Sequence, residues 1–174
     1  STSMGCTDTG ANTMTHILSA TAAMAAAVDC PVVADCGPAI GGSAGVAHMV
    51  KAFEGAGAAA ACMEDSLYPK TNSLLPGQHE LVGVEEFSRN IQAAVQAKEN
   101  PDFLVIARIE ALIAGEPLGE ALKRARSYAD AGADAILPHS KANTPDQVLE
   151  FAVAWDSPVP LVLIPTTYYS LSEE

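Results

Sequence analysis

Residues 64–73 read EDSLYPKTNS, two adjacent acids that close the apolar run AAAACM and lead into a loop with a lysine, an asparagine and a serine. Carboxylates are what a hard divalent cation needs, and the loop residues donate hydrogen bonds suited to phosphoryl oxygens. The combination points to a metal-assisted site for a phosphorylated or phosphonylated acid. Further candidates end other apolar runs: Asp35 after PVVA, Arg108 and Glu110 in FLVIARIE, and His139 with Ser140 in DAILPHS. Asp35 reads as an oxygen ligand for Mg2+, or as a capping or loop aspartate. Arg108, inside an apolar run, is expected to be buried, so it must pair with Glu110 or Glu64 or face an anion. His139 is placed to donate to a substrate oxygen or to serve as general acid or base; a structural role is the plainer alternative.

Lys70, Asn72 and Ser73 belong to a connection from Asp65 to about Glu80 that contains Pro69, Pro76 and Gly77. Such a length marks either a lid or an ordinary surface loop. Asp8, in GCTDTGAN, reads by default as a turn or N-cap residue. His16, His48 and His79 have no strand-end placement, and Tyr168 and Tyr169 read as rim packing.

The elements that must position these groups alternate. Short continuous apolar runs at 31–35, 58–65, 103–110, 134–140 and 160–167 read as parallel strands buried on both faces. Helical stretches fall at about 13–28 and at 44–56, 82–99, 117–131 and 144–155. In the 117–131 stretch, Ala121, Leu122, Ala125, Tyr128 and Ala129 share one face, with Lys123, Arg124 and Arg126 expected off it. The order implies an α/β fold, and the gathering of polar residues at strand carboxyl ends favours a (β/α)8 TIM-type barrel over a doubly wound sheet. No GxGxxG follows a strand, which removes the dinucleotide-binding version. Five strands fall short of a full barrel's eight, so residues 1–174 are expected to hold one domain, a partial barrel of about five βα units.

Hydrophobic residues make up 49% of the 174 residues and the net charge is −12. The charge disfavours nucleic acid and anionic membranes as partners, and the apolar runs are too short to span a bilayer. With no basic leader ahead of a cleavage site, a cytoplasmic location is expected. Cys6, Cys30, Cys36 and Cys62 lack metal-type spacing and read as reduced core thiols.

EDSLYPKTNS, IARIEALIAG (106–115), EALKRA (120–125) and AGADAILPHSK (131–141) together closely resemble the phosphoenolpyruvate mutase family of the isocitrate lyase superfamily. The resemblance covers essentially the whole chain and implies that residues 1–174 are the middle of a full barrel, about five central βα units without the first strands and the C-terminal end. It implies a Mg2+-dependent enzyme interconverting phosphoenolpyruvate and phosphonopyruvate in phosphonate biosynthesis, acting as a homo-oligomer, a tetramer by analogy. It implies that Asp35 touches the metal, that Asp8 and Glu64 hold metal-bound waters, and that Lys70, Asn72 and Ser73 form the loop closing over substrate. Arg108 and His139 would then steady the phosphoryl group and the carboxylate. Two positions depart from the pattern: Gly37 stands where the family usually has a second aspartate, and Ser66 where it has a lysine. Relatives that hydrolyse phosphonopyruvate tend to carry threonine at the place of Asn72, so Asn72 favours the mutase. The alternatives are that hydrolase, a carbon–carbon lyase whose Lys-Lys-Cys-Gly type of loop is absent here, and a barrel that has lost its metal chemistry.

Overall fold

The computed structural model describes residues 14–69, 72–74, 77 and 79–168. Four parallel strands form one sheet in chain order: β1 (Val33–Pro38), β2 (Ala60–Glu64), β3 (Leu104–Ile109) and β4 (Ala135–Pro138). Helices α1 (Met14–Ala27), α2 (Gly42–Gly55), α3 (Val84–Ala97), α5 (Leu118–Asp130) and α6 (Asp146–Ala154) alternate with them. A one-turn helix, α4 (Ala111–Ala114), follows β3 directly and has no counterpart in the sequence reading. Sequential parallel pairing with helical crossovers is the α/β arrangement expected of a barrel sector.

The strands alternate their side chains between two apolar layers. Ala61, Met63, Val105, Ala107, Ile109 and Ile136 join the helices in the larger core. Ala60, Cys62, Ile106, Ala135 and Leu137 form a smaller layer on the opposite face, against Val162 and Ile164. On α3 the buried positions Phe87, Asn90, Ile91 and Ala94 recur at helical spacing, and Phe87 packs edge-on to Tyr128 of α5 at 4.7 Å between ring centres. Full burial of a side chain such as Phe87 contributes about 1.5–3 kcal/mol. The turn into α2 needs a glycine at 45, because a Cβ there would lie 2.3 Å from the Ile40 carbonyl oxygen.

Three expectations need correction. The run at 160–167 makes no ladder; it joins β4 through a single parallel bridge between Ile136 and Leu161, so the described sheet has four strands rather than five. Its prolines at 160 and 165 bring no amide hydrogen to a ladder. Arg124 does not lie off the buried face of α5: it is only 8% exposed, because an acid waits for it in the interior. Cys30 is exposed rather than in the core, whereas Cys62 is buried, its thiol pushed up to about 12 by burial and by Asp35. Cys6 lies outside the described residues.

Candidate active site

Strand register builds the site. Asp35, Cys62, Ile106 and Ala135 lie in one row across the sheet; Pro38, Glu64, Arg108 and Leu137 form the next row on that face. β1 reaches the second row through a bulge between Asp35 and Gly37, so that Gly37 pairs with Met63. Gly37 has φ +64, and its amide donates to Asp35 Oδ1 at 3.2 Å. Gly37, expected above as a departure, is thus a left-handed turn whose amide holds the Asp35 carboxylate. A Cβ at Gly37 would meet nothing within 4 Å, so conformation rather than space favours glycine there.

Arg108 occupies the centre, with a side chain 7% exposed. Its Nη1 lies 3.6 Å from Asp35 Oδ2, its Nη2 3.5 Å from Glu64 Oε2, and its Nε donates to Glu110 Oε1 at 2.5 Å. Burial alone would weaken the protonated form; Glu110, Glu64 and Asp35 outweigh it and raise the guanidinium above its ordinary value. Glu110 also meets His139 Nδ1 at 2.7 Å through Oε1 and accepts the Ser73 hydroxyl at 2.8 Å through Oε2. Burial pushes its carboxyl up, but His139, Arg108 and Ser73 prevail and hold it at about 2. Glu64 is fully buried, and Ser66 donates to its Oε1 at 2.6 Å.

A second buried network supports the first. Asp65 Oδ1 accepts the Glu110 amide at 2.8 Å, while its Oδ2 accepts Tyr128 Oη at 2.7 Å and Arg124 Nη1 at 2.9 Å. Arg124 Nη1 also donates to the Val82 carbonyl at 2.9 Å. The acid pair of the sequence is therefore divided: Glu64 faces the site and Asp65 ties β2, α4 and α5 together behind it.

The 66–80 connection is clamped at its base by an antiparallel bridge between Ser66 and Leu81 and by Leu67 N donating to Glu80 O at 2.9 Å. Ser73 is buried at the Arg108–Glu110 pair. Asn72 uses its side-chain oxygen to accept the Leu74 amide at 2.9 Å, a turn within the loop. Beside them a cleft of about 290 Å3 is lined by Ser66, Tyr68, His79, Glu80 and Glu110, among others. The structure thus brings Asp35, Glu64, Ser73, Arg108 and His139 together and places Asn72 in the adjoining loop. Asp8 and Lys70 lie outside the described residues. Glu110 was legible only as a partner for Arg108, and His79 had no placement at all; nothing in local spacing reveals that one carboxylate gathers Arg108, His139 and Ser73.

Asp35 and Glu64 offer oxygen donors alone, and both lie within ion-pair distance of Arg108. That chemistry fits Mg2+, which takes one or two carboxylates and keeps several waters. Among the described residues no group of three or more His, Cys, Asp or Glu is arranged so that it could by itself hold a metal ion.

Parallel strands in chain order, crossover helices and a charged cluster at the strands' carboxyl ends define a barrel-type α/β protein with its site at the strand-end face. Comparison with known proteins gives the family. The family model described as phosphoenolpyruvate phosphomutase matches residues 1–173, and the chain belongs to that family, within the isocitrate lyase superfamily. It is 48% identical over 152 residues to a phosphonopyruvate hydrolase of Variovorax sp. (strain Pal2), covering 87% of this chain and 52% of the relative. It is 40% identical over 173 residues to a phosphoenolpyruvate phosphomutase of Streptomyces hygroscopicus, covering 99% and 55%. A crystal structure of a phosphoenolpyruvate phosphomutase from Streptomyces platensis subsp. rosaceus matches with TM-score 0.97 and 50% identity, over 99% of this chain and 60% of that one. A phosphonopyruvate hydrolase in complex with oxalate and Mg++ matches with TM-score 0.91 and 43% identity, over 99% and 59%. The chain therefore spans about half the length of the curated relatives it matches.

Proposed function

We propose that this chain carries the central part of a Mg2+-dependent phosphoenolpyruvate mutase site. In that reaction the O–P bond of phosphoenolpyruvate breaks and a C–P bond forms at its methylene carbon, with no atom gained or lost. The observation that carries the reading is the Arg108 cluster. A migrating phosphoryl group needs positioning and charge neutralisation more than covalent help. Here a permanently charged guanidinium is oriented by Glu110, flanked by His139 and adjoined by a loop serine. Asp35 and Glu64, with Asp8, would hold the Mg2+, which when bound polarises the pyruvyl oxygens. Arg108 and His139 steady the phosphoryl group and the carboxylate, and Lys70, Asn72 and Ser73 close over them and keep water away. The hydrolase relative found in the comparison is as similar as the mutases, so overall identity does not separate the two activities. Asn72 in place of threonine is what favours the mutase. A homo-oligomer acting on a small acid is part of the same reading.

The test is a phosphorus NMR time course of the full-length protein with phosphonopyruvate and Mg2+. Phosphoenolpyruvate is the expected product, and chelating the metal stops its appearance. Free phosphate instead identifies a hydrolase, and no change with folded protein sinks both readings. Asn72→Thr is expected to raise the share of phosphate; an unchanged product ratio removes Asn72 as the discriminating residue.

A further inference from the structure

Glu110 meets His139 and Arg108 through one oxygen, and the geometry points to Glu110 as the positioning residue that decides which His139 nitrogen exchanges a proton. The inference builds on the role proposed above for His139. His139 Nδ1 has two neighbours with opposite demands. Glu110 Oε1, at 2.7 Å, accepts only, so it requires hydrogen on Nδ1. Arg108 Nη2, at 2.9 Å, donates only, so it requires a bare Nδ1. One of the two must yield.

The arginine yields. Nη2 has another acceptor, Ser73 Oγ at 3.3 Å, and also lies 3.5 Å from Glu64 Oε2, an ion-pair contact that holds the guanidinium without the ring. A bare Nδ1 would set a lone pair against a buried carboxylate oxygen, a repulsion that low dielectric makes costly. Nδ1 therefore keeps its proton in both charge states of the ring, and Nε2 is the nitrogen that gains and loses one. Neutral His139 presents a lone pair at Nε2. Protonated there, it presents a donor. The second Glu110 oxygen holds Ser73, so the docked loop and the ring share one carboxylate.

The test is nitrogen-15 NMR of the imidazole in full-length, histidine-labelled protein without substrate, with His139 assigned by the loss of its signals in His139→Asn. Wild type is expected to show Nδ1–H with an unprotonated Nε2. In Glu110→Gln the neutral amide competes poorly with Arg108, and the Nε2–H form becomes populated. kcat then falls about 100-fold or more with KM changed little, as when a histidine's orienting carboxylate is replaced by its amide. Ser73→Ala leaves the Nδ1–H form in place. An Nε2–H ring in wild type overturns the inference, and so does an unaltered Nδ1–H ring in Glu110→Gln, whatever the rate. If Glu110→Gln fails to fold, the wild-type spectrum still decides. The spectrum needs no turnover, so failure of the mutase reading and failure of this inference are separable.

Discussion

At the scale of single residues, the site depends on a charge balance around Arg108. Asp35, Glu64 and Glu110 surround the guanidinium, so Glu110 is not interchangeable with an uncharged group. Its folded-state value of about 2 lies below the 4.5 of an ordinary glutamate, so folding favours its ionised form. That stability is fully present above pH 4.5 and is lost as pH falls towards about 2. Comparing wild type with Glu110→Gln by urea denaturation across pH isolates the effect. The wild-type advantage is expected to be constant from pH 7 to 5 and to shrink below that. An advantage that grows on acidification contradicts the assignment. Arg108 was recognisable in the sequence as a buried cation in an apolar run, with Glu110 or Glu64 as its partner; that both pair with it, and Asp35 of another strand as well, was not.

At the scale of elements, Asp65 joins three segments that the chain order keeps apart. It accepts from α5 through Tyr128 and Arg124 and from the Glu110 amide at the end of β3, and its own carbonyl oxygen accepts the Val82 amide ahead of α3. Burial pushes its carboxyl up, while the Glu110 amide, Tyr128 and Arg124 oppose the shift. Tyr128→Phe removes a hydroxyl that donates to this buried acid at 2.7 Å. A loss of about 1.5–3 kcal/mol in urea denaturation is expected, the range for hydrogen bonds to charged groups. A change below about 0.5 kcal/mol would show that water or Arg124 replaces the hydroxyl at no cost. The helical period of α5 put Tyr128 on the buried face correctly. It put Arg124 off that face, because periodicity ranks residues by polarity and cannot see that an acid lies beneath.

At the scale of the whole molecule, burial is unequal across the sheet. β2 is buried at every position and β3 at all but Leu104, each between two strands, whereas β1 has one neighbour among the described strands and exposes Val33 and Asp35. In α1 only Thr21 is buried. Hydrogen exchange on this chain is therefore expected to be slowest in the amides of β2 and β3 and fastest in α1, with β1 between them. Equal protection of α1 and β2, read by mass spectrometry, would mean that α1 is covered in solution. Among the described residues no helix is long and apolar enough to cross a membrane.

What the sequence determined by itself was the rhythm of the chain. Four of its five apolar runs are strands, all five helical stretches are helices within a few residues, and the strand-end polar residues converge as alternation requires. These follow from local pattern, because a strand buried on both faces must be apolar throughout and a crossover helix must show one apolar stripe. Tertiary structure alone decided the rest. It turned Arg124 inward to Asp65, 59 residues away, put a bulge at Cys36 that makes Gly37 a turn, and reduced the 160–167 run to one bridge. It also made Glu110 the shared partner of Arg108, His139 and Ser73. A buried charge takes its place from whichever opposite charge the fold brings within reach, and that neighbour is a property of the packed chain, not of any short stretch of it.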